Sequence, residues 1–117
     1  MKVKTSKGLK KKCDLLWSLL VKKVGRCERC DRRPPSVQLQ SAHIFSRRYS
    51  HIRHDLSNGL SLCSGCHFYV HQNPVEFSRW VIKYLGEDLI HKLEIKKQLT
   101  FKVNYEEVYE SLKNKTL

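Results

Sequence analysis

Four of the five cysteines stand in two pairs with a two-residue gap, Cys27 and Cys30 in CERC and Cys63 and Cys66 in CSGC. That gap lets the chain turn about one ion. Four thiolates at about 2.3 Å saturate a tetrahedral zinc and leave no position for water, so the expected site is structural. Metal binding would then contribute to folding, by on the order of 10 kcal/mol in isolated zinc peptides. A redox CxxC is the competing reading, but two pairs flanking one segment favour zinc. The stretch from Cys30 to Cys63 is longer than in ordinary zinc fingers, so a whole strand–loop–strand segment is pinned at both ends. Cys13, the fifth cysteine, needs nothing beyond burial. His67 follows Cys66 directly and His71 comes one helical turn later, so the two imidazoles share a face and form a bidentate metal seat. Taken alone, such a pair is more often incidental than a ligand set. Between the cysteine pairs lie His43, Asn58 and a loop carrying Arg47, Arg48 and Arg53 with Tyr49 interleaved. A solvated charged loop is the plain reading of any one arginine; as a group they suit the phosphates of DNA.

These residues need elements to hold them. From Leu9 the apolar Leu16, Leu19, Leu20 and Val24 recur at helical spacing, and Gly25 is placed to end that helix in a left-handed cap. Pro34 and Pro35 forbid a helix after the first cysteine pair. Residues 37–43 alternate as a strand, with Val37, Leu39, Ser41 and His43 on one face. A polar loop over 46–58 leads to a second short strand, Leu60 to Leu62, and a short helix over 63–72. Asn73, Pro74 and Glu76 mark a strong helix start, with Asn as cap and Pro at the first position. That helix carries Phe77, Trp80, Val81 and Tyr84 inward and stops at Gly86. A further amphipathic helix spans 87–98, an extended connector 99–103, and Asn104 with Glu107 caps a last helix ending near Asn114. The expected organisation is a basic flexible arm over 1–8 and one domain over 9–117, with a zinc-stapled core at 27–72 and a helical extension at 73–117.

Lys and Arg number 23 against 11 Asp and Glu, a formal charge of +12 across 117 residues. A field of that sign attracts polyanions, nucleic acid foremost. The length fits one domain that buries roughly two thirds of its unfolded surface. No apolar run is long enough to span a membrane, and residues 1–12 lack the apolar core of a secretory signal. The expected location is the cytoplasm, where disulfides are rare. No stretch reads as a major-groove recognition helix, so base-specific contact is expected to be slight.

Together, CERC, SAHI and SNGLSLCSGCH with the following His71 resemble the HNH, or ββα-metal (His-Me finger), nuclease family, in its version with zinc-binding cysteines. The likeness covers about residues 27–71 and is closest to small phage-borne members. It implies an α+β fold: a ββα-metal core stapled by the four-cysteine zinc, with an N-terminal helix and C-terminal helices. It implies a metal-dependent DNA endonuclease in phage DNA recombination, processing or packaging, in contact with DNA and with proteins of such complexes in the host cytoplasm. A noncatalytic zinc-ribbon DNA-binding module or adaptor is the alternative. By the resemblance His43 is the general base, Asn58 tethers the loop and orients it, and Arg47 clamps a phosphate. His67 and His71 hold the catalytic ion, Mg²⁺, Mn²⁺ or another divalent metal. Many members carry an Asp or His ligand immediately before the base. Here that residue is Ala42, so Asp55, His51 or His54 would have to complete the set, or phosphate and water alone.

Overall fold

A computed structural model describes residues 6–116. Helix α1 spans Ser6–Val21, so residues 6–8 of the expected arm are helical; the remainder of that arm lies outside the described residues. Its buried stripe is Leu9, Cys13, Trp17 and Val21, one residue per turn. Leu19 and Val24, expected on the apolar face, are instead 63% and 44% exposed. Burying the large Trp17 ring fixes the rotation of the helix and turns the leucine run partly to solvent. A 3-10 turn, Lys22–Val24, follows, and Gly25 ends it at φ +77° with its N–H donating to the Lys22 carbonyl.

Strands β1, Leu39–His43, and β2, Gly59–Cys63, pair antiparallel with Ala42 opposite Leu60 and His43 opposite Gly59. The first strand starts two residues later than the alternation suggests. Because side chains alternate across a strand, the pair has two distinct faces. Gln40, Ala42, Leu60 and Leu62 share one; Ser41, His43, Gly59 and Ser61 share the other. Helix α2, Ser64–Gln72, springs directly from β2 and covers the first face, where Ala42, Leu60, Leu62 and Val70 join one apolar core. Helix α1 covers the second: the Ser18 and Ser41 hydroxyls lie 2.7 Å apart, and Trp17 packs on His43.

Helices α3 (Pro74–Leu85) and α4 (Glu87–Lys97) extend the core beneath α2 through Val81, Ile90 and Leu93, while Tyr84, expected inward, is 40% exposed. Pro74 takes the first position of α3 as expected, but Asn73 does not cap it. Its amide donates instead to the Tyr69 carbonyl at the end of α2, because one side chain at a junction cannot serve both helices. Helix α5, Tyr105–Lys115, is capped by Asn104, whose Oδ1 accepts from the Glu106 and Glu107 N–H groups. It packs on α1 around Leu112, making a second small core with Cys13, Trp17 and Val21. Residues 99–103 form no strand. The fold is thus α+β, with two strands and five α-helices among the described residues. None of these helices is long and apolar enough to cross a membrane.

Candidate functional site

The sulfurs of Cys27, Cys30, Cys63 and Cys66 all lie within 4.8 Å of one another. Tetrahedral sulfurs on a zinc at about 2.3 Å would be about 3.8 Å apart, and Cys30 and Cys63 are 3.8 Å apart. The Cys30 N–H points to the Cys27 sulfur and the Cys66 N–H to the Cys63 sulfur, as the tight turn of each CxxC demands. The first knuckle is stitched to β2, with the Glu28 N–H donating to the Ser61 carbonyl and the Ser61 N–H to the Glu28 carboxylate. Burial and the neighbouring sulfurs push the Cys66 thiol up to about 12. At Cys27 burial also pushes upward, but backbone N–H groups outweigh it and bring the thiol down to about 6. Sulfurs this close cannot all be anionic without a cation among them. The four cysteines form a cluster that can hold one metal ion, at a spacing that suits zinc.

His43 ends β1 with its ring stacked on Trp17, centroids 4.0 Å apart and planes within 11°. Its Nε2 lies 2.9 Å from the Arg53 carbonyl. A carbonyl only accepts, so Nε2 carries the hydrogen and the lone pair sits on Nδ1. Burial is the main cause holding the imidazole pKa below its ordinary 6.5; the Arg53 carbonyl and Asp14 carboxylate oppose it, and the Arg53 and Arg47 charges reinforce it. Gly59, opposite His43, makes room for the stack. A Cβ there would stand 2.5 Å from Val21 and 2.7 Å from the Trp17 ring. Asn58, fully buried, closes the loop: its Oδ1 accepts from the Phe45 N–H at 2.8 Å, and its amide donates to the Phe45 and Ile52 carbonyls at 3.1 Å each. One side chain thus ties the start of the loop to its middle.

On the opposite face of the sheet, Gln40 Oε1 accepts from His67 Nδ1 at 2.7 Å. The His67 lone pair is thereby left on Nε2, which lies 3.2 Å from Nε2 of His71. Burial first, then the His71 charge, hold His67 below the usual imidazole range. Two imidazole nitrogens facing each other one helical turn apart are an arrangement that a divalent cation can bridge. Ala42 shares a face of the sheet with Gln40, the partner of His67, and its side chain offers no donor atom. The three loop residues considered as its replacement are engaged elsewhere. Asp55 caps the 3-10 turn Leu56–Asn58 and pairs with Lys96 at 2.8 Å; His54 pairs with Asp14 at 2.7 Å; His51 bonds the Phe101 carbonyl. Among the described residues the four cysteines are the group of three or more His, Cys, Asp or Glu side chains that converges.

The loop arginines divide. Arg47 and Arg48 are exposed, Arg48 lying 5.0 Å over the Tyr49 ring. Arg53, expected to contact phosphate, turns inward and gives Asp14 two hydrogen bonds, at 2.9 and 2.7 Å. Lys97 of α4, which composition alone does not single out, lies 4.6 Å over Phe45 and 5.1 Å over Tyr49, adding a cation to the same loop. Trp17, Gln40, Gly59 and Asp14 were also missed as supports of the two histidine sites. Their partners lie tens of residues away, and only the hydrophobic period of α1 hinted at Trp17.

Comparison of the chain with family models, with curated proteins and with solved structures finds no match. Any function of these histidines stands on their own geometry.

Proposed function

We propose that the protein is a metal-dependent DNA endonuclease of the HNH type, built on a ββα-metal core. The observation that carries this reading is His43 tied through Nε2 to a backbone carbonyl, which leaves Nδ1 as a fixed proton acceptor. With its affinity for protons held down by burial, this imidazole is neutral at physiological pH. In the proposed reaction Nδ1 takes a proton from water, the oxygen attacks phosphorus, and the bond to the 3′ oxygen breaks. The departing oxygen gains a proton from solvent, leaving a 5′ phosphate and a 3′ hydroxyl. His67 and His71 would hold a divalent ion, which supplies charge stabilisation on the phosphate and on the leaving oxygen. Gln40 fixes the tautomer that presents His67 Nε2, and Asn58 keeps the loop in register with His43. Arg47 and Arg48, with the net charge of +12, hold the DNA backbone. The four-cysteine zinc cluster holds the segment that carries these groups and takes no part in the chemistry.

One observation favours a second reading, a noncatalytic DNA-binding module: among the described residues no third His, Cys, Asp or Glu side chain converges on the histidine pair. Incubation with supercoiled plasmid in Mg²⁺, Mn²⁺ or Ni²⁺ separates the two. Nicking is expected, and its absence with all three metals, while DNA is still bound, would favour the binding module.

A further inference from the structure

Helix α1 grips three consecutive residues of the loop next to His43. Asp14 accepts two hydrogen bonds from the Arg53 guanidinium, at 2.9 and 2.7 Å, and one from His54 Nε2 at 2.7 Å. Trp17, three residues along the same helix, donates from its indole N–H to the Asp55 carbonyl at 2.9 Å. Arg53 is also the residue whose carbonyl accepts from His43. The backbone atom that fixes the His43 tautomer is therefore tethered through the side chain of its own residue, through the next residue and through the one after. The indole that makes the last of these tethers is the ring on which His43 lies.

We propose that Asp14 is a positioning residue for His43, acting through the anchored segment 53–55 to keep the Arg53 carbonyl on Nε2 and the lone pair on Nδ1. The assignment rests on reading His43 as the base. The charged and titratable groups around the ring are Asp14 from α1 and Arg47, Arg53 and His54 from the loop; its strand neighbour, Gly59, brings none. Without the Asp14 carboxylate the Arg53 fork has no partner of opposite charge, and the carbonyl loses its fixed place. The neutral ring is then free to hold its hydrogen on Nδ1, a form that cannot accept a proton from water there.

The test is Asp14→Asn, which keeps the size and removes the charge, compared with wild type in the zinc-loaded protein. Ring nitrogen NMR at pH 8 reads the His43 tautomer directly, beside plasmid nicking and DNA affinity. Wild type should show the Nε2–H form alone. Asp14→Asn should show both forms and nick more slowly in proportion to the Nε2–H form lost, about twofold where the two are equally populated, with DNA affinity within twofold. Arg53→Lys, which keeps the charge and loses the fork, should show the same mixture and provides the test if Asp14→Asn does not fold. A single Nε2–H form in the folded variants would overturn the proposal, as would Asp14→Asn nicking at the wild-type rate. A wild-type protein that never nicks refutes the nuclease reading instead, and the ring spectra still decide the anchoring.

Discussion

Replacing Asn58 by Ala should be among the most damaging single changes outside the cysteines. The side chain is fully buried and makes three hydrogen bonds, all to backbone groups of the loop between the strands. A buried hydrogen bond contributes about 1 kcal/mol net; the Phe45 N–H and carbonyl lose their Asn58 partner, and the Ile52 carbonyl keeps only the Asp55 N–H. The expected loss is about 3 kcal/mol, a large part of the roughly 5–15 kcal/mol that holds a domain of this size folded. Asn58→Asp should be no milder. A carboxylate can still accept from the Phe45 N–H, but it faces two carbonyls it cannot bond and would carry a charge into the interior. The assay is urea unfolding of the zinc-loaded protein followed by tryptophan fluorescence, since Trp17 touches both the loop and His43. With a slope of about 1.5 kcal/mol per molar, the midpoint should fall by about 2 M at constant slope. A loss below about 1 kcal/mol would refute the idea that one amide holds the loop.

Stripping the metal with a strong chelator under reducing conditions should unfold residues 27–72, and stoichiometric zinc should restore them. Unchanged circular dichroism after chelation would contradict a structural cluster. Because burial holds His43 below its ordinary 6.5 and the proposed base must be neutral to act, nicking should rise with pH only on the acid side and level off before neutrality. A rate profile from pH 5 to 8 whose rise is centred above pH 7 would contradict this. Arg48→Ala should weaken every DNA sequence alike and lower the salt slope by about 1, with stability within about 0.5 kcal/mol of wild type. Arg53→Ala should instead cost about 1 kcal/mol of stability, allowing for solvent at the partly exposed Asp14, and equilibrium unfolding beside binding isotherms distinguishes the two.

The cysteine pairs, both strands, the helix after the second pair and the Asn104 cap were legible because each is written in residue type at short spacing. A two-residue gap, an alternation of period two and a cap next to its helix need no knowledge of the rest of the chain. What the sequence hid was long-range. Gln40 meets His67, Asp14 meets Arg53 and Trp17 meets His43 only after the sheet is covered on both faces. Gly59, following Asn58, looks like a turn glycine, yet its backbone is extended and it is needed because Val21 and Trp17 press on that point. Arg53 misled for the same reason. A third arginine in a basic loop has the composition of a phosphate contact, and only the position of Asp14 across the fold turns it inward. Asn73 shows a local version, where two adjoining helices compete for one capping side chain.

The separate roles proposed for His43 as base and for His67 and His71 as metal seat are tested most directly by plasmid nicking across a range of divalent metal concentrations, with His43→Ala and His67→Ala compared to wild type. His43→Ala removes the proton acceptor and no proposed ligand, so its rate should be about 10² to 10⁴ lower at every metal concentration. His67→Ala removes one of two nitrogens 3.2 Å apart, so its rate should be low at limiting metal and climb as metal is added. Wild-type rates from His43→Ala, or rescue of both variants by excess metal, would contradict the account.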